Sequence, residues 1–279
     1  MNKLGVIGGS GIYSLENIKI VAEHNVETPF GKPSDMVIQA EVNGAEVYFM
    51  PRHGRAHSIL PHEVNYRANI FALKSLGVDV IVSVSAVGSL KEEHAPTDFV
   101  LPDQFIDWTK GKRERSFFGN GIVAHVSTAY PVNGTLQERI HKTCRELDIK
   151  AHKGGTYICI EGPQFSSRAE SELYRNFGAD VIGMTNVPES YLAKEAGIAY
   201  STIAMITDYD CWKEEHVDVE SVMGVMKKNN ETIQRLVMEL VPELVNNPIE
   251  FEKENAIGVM TPENLWSQEQ KEWMKVLLK

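Results

Sequence analysis

Two aspartates, Asp208 and Asp210, stand at positions i and i+2 where the apolar run Ile203-Ala204-Met205-Ile206 ends. In an extended strand residues two apart point the same way, so both carboxylates can address one ligand as acceptors, or as an acid beside an acceptor. The same spacing suits a surface turn or half of a metal site, and the chain shows no further ligands to complete a metal site. A second segment, Arg52-His53-Gly54-Arg55-Ala56-His57, concentrates cationic and imidazole groups in a chain whose formal charge is -10. Arginine offers a planar fork of donors that matches the oxygens of an oxyanion, and His53 can add a directed N–H. A solvated basic loop paired with acidic neighbours is the alternative for this segment.

These side chains need elements to hold them. Leu4–Ile7 reads as a buried first strand closed by Gly8-Gly9-Ser10-Gly11, a turn whose spacing matches neither GxGxxG nor GxxxxGK[ST]. It is a tight turn with structural glycines, or a nest of N–H groups in which Ser10 adds a hydroxyl. Val78–Val84 is a continuous apolar strand that ends in the small residues Ser85-Ala86-Val87-Gly88-Ser89, and Asp180–Met184 ends in Thr185, just before a helix. Strand ends are where α/β sheets bind ligands, and helix N-termini favour anions. Four strand ends, at Ser10, Arg52, Ser85 and Thr185, thus each offer an oxyanion donor.

Further strands are expected at Glu46–Met50, Thr156–Ile160 and Tyr200–Ile206. Helical faces run through Leu136, Ile140, Cys144 and Leu147, and through Val222, Met226, Ile233, Val237 and Leu240. Ser167-Arg168-Ala169-Glu170 has capping-box spacing, and Asn186-Val187-Pro188-Glu189 opens a helix that Gly197 can end. Strands alternating with helices predict an α/β domain with a largely buried sheet. The main domain spans 1–245. After Asn246-Asn247-Pro248 a C-terminal extension, 246–279, carries a helix with Trp273, Met274, Leu277 and Leu278 on one face, packed on the core or on a neighbouring subunit.

Composition narrows the classes. With 279 residues, 43% hydrophobic and 24% charged, the chain can bury a full core and lies outside the disordered and membrane classes. The acidic balance argues against a nucleic-acid or anionic-membrane partner, so an anionic ligand must be small and locally held. Cys144, Cys159 and Cys211 form neither a CxxC nor a disulfide framework. Without a signal-peptide core or a membrane-length apolar run, the expected setting is the reducing cytosol.

Taken together, the segments 5–11 (GVIGGSG), 28–34 (TPFGKPS), 52–55 (RHGR), 64–69 (VNYRAN), 161–170 (EGPQFSSRAE) and 207–213 (TDYDCWK) resemble the methylthioadenosine phosphorylase family of the trimeric purine nucleoside phosphorylase class. The resemblance covers roughly 5–241. It implies a single-domain α/β fold with a central mixed sheet, partly barrel-like and flanked by helices. It also implies phosphorolysis of a methylthioadenosine-like nucleoside, with inorganic phosphate as co-substrate and neither cofactor nor metal, in a homotrimer or dimer of trimers.

Residue by residue, the resemblance implies phosphate contacts from Ser10, Arg52, His53, Ser85, Ala86 and Thr185. Met184 would lie against the ribose and Phe165 against the purine, with Asp208 as the acid at N7 and Asp210 receiving the exocyclic amine. His125, Val219 and Val222 would line the 5' pocket, His125 reaching in from a neighbouring subunit, although helix packing accounts equally for the two valines. The chain departs from some family members at Ser10, where they carry threonine, and at Gly183, where they carry asparagine. A phosphorylase of adenosine or methylthioinosine, and a nucleoside-binding protein without turnover, are the rival readings.

Overall fold

The computed structural model describes residues 2–9, 18–213 and 219–279, with the side chains of all these but 219–222. Its spine is β5 (Val78–Ser89), whose Val78, Val80, Ile81, Val82 and Val84 are all buried. A strand covered on both faces has no polar side to show, hence the continuous apolar run. Strand β1 (Lys3–Gly8) lies parallel to β5 on one side and β11 (Ala199–Asp208) lies parallel on the other. Beyond β1 come β4 (Ala45–Pro51), parallel, and then β3 (Val37–Val42) and β2 (Lys19–His24), antiparallel. Beyond β11 come β6 (Phe99–Leu101), antiparallel, and β8 (Ala151–Lys153).

The expected end of β5 at Val84 is too early. The strand continues because β11 pairs with it as far as Gly88, while its other edge changes partner: Ile7 of β1 pairs with Ser83, and farther on β10 (Val181–Gly183) pairs antiparallel with Gly88 and Ser89. Strand β10 then leads to β9 (Thr156–Ile160) and β7 (Gln104–Trp108). The sheet therefore forks at β5, giving the mixed, partly barrel-like α/β architecture that the resemblance implied.

Helices cover both faces. On one, Leu136, Ile140 and Cys144 of α2 (Gly134–Glu146) and Ile233, Val237 and Leu240 of α5 (Val219–Asn246) are buried against the sheet. On the other lie α1 (Tyr66–Ser75), α4 (Asn186–Glu195) and α6 (Gln268–Leu277), through Ile70, Leu73, Leu192, Ala193, Met274 and Leu277. Each Leu, Ile, Val or Met among these contributes roughly 1.5–3 kcal/mol of burial. The tail helix α6 packs here, with Trp273 edge-on to Phe30 at 5.5 Å between ring centroids. Both reciprocal bonds of the Ser167/Glu170 capping box open α3 (Arg168–Asn176), and Gly197, at φ +62, follows the end of α4.

At the last turn of α4, Glu195 accepts hydrogen bonds from Ser116 Oγ and Phe117 N, each 2.8 Å long. Burial outweighs these bonds and pushes its carboxyl up to about 7. The folded protein therefore keeps a proton that the unfolded chain has released. The resulting stability is complete below about 4.5 and is lost as pH rises through about 7. Glu195→Gln is expected to flatten the urea midpoint across this window, and an unchanged slope would remove Glu195 as its source.

Candidate active site

The fork leaves a gap. Between Ser83, paired with β1, and Gly88, paired with β10, no strand among the described residues lies beside one side of β5. Residues 84–87 there form the floor of a cavity of about 570 Å³. Arg52 and His53 enter it from the end of β4, Ser85 and Ala86 from the floor itself, Met184 and Thr185 from the end of β10, and Asp208 and Asp210 from the end of β11. Phe165 reaches it from the loop before α3, with its side chain mostly in the open at 85% exposure. Nine of the thirteen residues read from the sequence thus line one cavity: Arg52, His53, Ser85, Ala86, Phe165, Met184, Thr185, Asp208 and Asp210.

The other four stand apart from this set. Ser10 and the side chains of Val219 and Val222 lie outside the described residues. His125 is exposed on a surface loop, where its backbone N–H donates to Gly258 O at 2.9 Å, and it does not line the cavity.

At one end of the cavity the arginine fork is turned the opposite way from expectation. Arg52 is 2% exposed; Nε donates to Glu189 Oε2 at 2.7 Å and Nη2 to Glu189 Oε1 at 3.0 Å. A further Nη2–H goes to Ser83 Oγ at 2.7 Å and one Nη1–H to the Val84 carbonyl at 3.0 Å. A guanidinium has five N–H donors, so a single Nη1–H is left over. Burial works against the charge, but the Glu189 carboxylate overcomes it and holds the guanidinium protonated. Glu189 is fixed in turn by the hydroxyls of Ser83, at 2.7 Å, and Tyr200, at 2.9 Å. Arg52 is therefore a clamped cation with one free donor, because an unpaired Glu189 carboxylate would be costly to bury.

His53 also differs from its expected role as an N–H donor. Its Nδ1 lies 2.8 Å from the Ile59 carbonyl, which can only accept, so Nδ1 carries the proton. Burial first, then the Arg52 charge, push the ring down to about 4. A neutral ring protonated at Nδ1 keeps a lone pair on Nε2.

Beside it the Ser85 and Thr185 hydroxyls stand 3.2 Å apart, both nearly buried. The Tyr157 hydroxyl lies behind them, 3.5 Å from Ser85 Oγ, and accepts from Thr185 N at 3.4 Å. It fills the space that a side chain at Gly183 would need, since a Cβ there would collide with the phenol.

At the other end Asp208 Oδ2 accepts from the Thr207 hydroxyl at 2.6 Å and Oδ1 from Asp210 N at 2.8 Å. Asp210 adopts φ +50, a left-handed conformation that aspartate tolerates better than most residues, and the Ser171 hydroxyl donates to its Oδ2. Burial, assisted by the nearby Asp208 charge, raises the Asp210 carboxyl above its ordinary range. Gly88 makes room for the pair: a Cβ there would come within 3.3 Å of both Asp208 Oδ1 and Asp210 Cβ. Both aspartates line the cavity. Among the described residues no cluster of three or more His, Cys, Asp or Glu gathers to hold a metal.

This arrangement of oxyanion donors at one end and carboxylates at the other defines a class. The chain belongs to the phosphorylase superfamily, whose family model matches residues 3–242. Its relatives are S-methyl-5'-thioadenosine phosphorylases. That of Geobacter sulfurreducens is 54% identical over 81% of this chain and 80% of its own, and that of Thermosynechococcus vestitus is 46% identical over 99% and 98%. Among solved structures, a methylthioadenosine phosphorylase from an antarctic soil metagenomic library superposes with a TM-score of 0.95 at 44% identity, covering 100% of this chain and 99% of that one. The methylthioadenosine phosphorylase of Schistosoma mansoni in complex with adenine gives 0.84 at 34% identity, covering 100% and 98%.

Sequence reasoning missed several residues of the site. Glu189 was visible as a first-turn acid of α4, but nothing in the spacing ties it to Arg52, 137 positions away. Ser171 and Tyr157 read as ordinary helix and strand residues. Ser166, next to Phe165, lines the cavity with a buried hydroxyl that has no partner among the described residues. Met226, expected on the packing face of α5, lines the cavity together with Asn230.

Proposed function

We propose that this cavity carries out phosphorolysis of S-methyl-5'-thioadenosine, using inorganic phosphate to release adenine and 5-methylthioribose 1-phosphate. The observation that carries the proposal is the single cavity in which Arg52, His53, Ser85 and Thr185 face Asp208 and Asp210. The names of the relatives supply the nucleoside.

Phosphate rests on the floor of β5, held by the spare Nη1–H of Arg52, the Ser85 and Thr185 hydroxyls, backbone at Ala86 and the Ser10 turn. Its negative charge lies beneath C1' as the sugar becomes oxocarbenium-like, so it serves as counter-charge and nucleophile at once. Met184 backs the ribose. Phe165, a large apolar ring exposed at the cavity, lies against the purine. The Ser166 hydroxyl is placed to meet a ring nitrogen of the base. Asp208 delivers a proton to N7, neutralising the departing base, and Asp210 accepts from the exocyclic amine.

A 6-oxo purine would set an acceptor against the Asp210 carboxylate, so the pair selects 6-amino bases. Asp210→Asn is expected to lower turnover of methylthioadenosine and raise the relative rate on methylthioinosine, compared by kcat/KM. An unchanged ratio would take Asp210 out of base selection.

The reaction needs no cofactor or metal. His125, exposed here, completes the 5' pocket of a neighbouring copy together with Val219 and Val222 of that copy, in a trimer or dimer of trimers. Three free thiols, at Cys144, Cys159 and Cys211, suit the reducing cytoplasm. Among the described residues no helix is long and apolar enough to cross a membrane.

The deciding assay follows adenine release from methylthioadenosine with and without phosphate, with adenosine and methylthioinosine alongside. Phosphate-dependent release supports the proposal. Release without phosphate makes the protein a hydrolase, and binding without release makes it a nucleoside carrier.

A further inference from the structure

The protonated Nδ1 of His53 has a consequence for the anion itself. That nitrogen is committed to the Ile59 carbonyl at 2.8 Å, while Nε2 has no protein partner among the described residues and is not sealed in. The ring lines the cavity, so the open nitrogen faces it. It can only accept there. The other groups on the floor, the Arg52 Nη1–H and the Ser85 and Thr185 hydroxyls, are all able to donate, and of these described groups only His53 Nε2 has no proton to offer.

We propose that His53 selects a tetrahedral oxyanion that carries a proton, accepting a hydrogen bond from its O–H at Nε2 and so discriminating hydrogen phosphate from sulfate. The inference rests on the proposed phosphorolysis for its location and goes beyond it in naming what the anion must offer. Hydrogen phosphate and sulfate share size, shape and double negative charge in mildly alkaline solution, and differ in one O–H. A site built only of donors would hold both alike. With His53 in place, sulfate sets an oxygen lone pair against the Nε2 lone pair, and a buried polar group left unpaired is costly. The contact also orients the nucleophile. The protonated oxygen is turned to His53, so one of the three unprotonated oxygens attacks C1'.

The test measures sulfate as a competitor of phosphate in the adenine-release assay, and the dissociation constants of both anions for the unmodified protein by thermal shift. Sulfate is expected to bind at least about tenfold more weakly than phosphate, the scale of one mismatched hydrogen bond. A ratio below about tenfold overturns the proposal. In His53→Gln the amide can rotate to present N–H, and the ratio is expected to fall toward one. A ratio that stays where it was also overturns it. Should this variant not fold, the thermal-shift ratio of the unmodified protein decides. Failure here, with phosphate-dependent adenine release intact, leaves the phosphorylase reading standing; failure of the release assay removes that reading while the anion ratio still reports on His53.

Discussion

Asp208→Asn is expected to lower kcat for adenine release by about 100-fold or more, with little change in stability. The two halves of this expectation come from different bonds. The new amide carbonyl can keep the bond from Asp210 N, now 2.8 Å. Its NH2 can donate to Thr207 Oγ1, which turns its own proton to the Val87 carbonyl already 3.1 Å away. No buried group loses its partner, so the fold has little reason to weaken. What disappears is a carboxyl able to carry a proton to N7. Steady-state rates together with a denaturant midpoint separate the two effects, and full activity in the variant would remove Asp208 as the acid.

The second large effect belongs to Arg52. Its substitution by alanine should raise KM for phosphate far more than KM for nucleoside, because the spare Nη1–H is lost from the anion end only. It should also cost about 3–5 kcal/mol of stability, because Glu189 stays buried without a counter-charge. Adding Glu189→Gln to Arg52→Ala removes that stranded charge. The double variant is expected to recover most of the stability and none of the phosphate affinity. If Arg52→Ala loses less than about 1 kcal/mol, the ion pair is not what holds this end of the cavity. If both Michaelis constants move equally, Arg52 does not act on phosphate.

Most of the strands could be read from the sequence because they are buried and carry runs such as 78–84 and 200–206, whose apolar residues need no partner to be recognised. Strands β2, β3, β6, β7 and β8 went unread. Three of the five are short or only partly buried, and β2 is largely exposed, so neither length nor alternation marks them. The longer reach of β5 was hidden for another reason: Ser85 to Ser89 looks like a loop, and only pairing with β11 as far as Gly88, and with β10 at Gly88 and Ser89, makes it a strand.

The site divides in the same way. Side chains that face a ligand announce themselves by type, as Arg52, Thr185 and the two aspartates do. Side chains that face those side chains do not. The hydroxyls of Ser171 and Tyr157 and the carboxylate of Glu189 take their meaning from contacts across the fold, and the direction of the Arg52 fork and the tautomer of His53 were decided by Glu189 and the Ile59 carbonyl.

The fork in the sheet also bears on how the protein breathes. Strand β5 is paired to β11 from Val80 to Gly88, so amides along this ladder should exchange with solvent only when the whole sheet opens. On its other edge no strand among the described residues covers 84–87. On the proposed placement, phosphate and sugar would lie where a neighbouring strand could have been, against a backbone that does not have to loosen to admit them. The proposed anion seat would then be as durable as the fold itself, and any motion that turnover requires would fall to the exposed side of the cavity, where Phe165 stands.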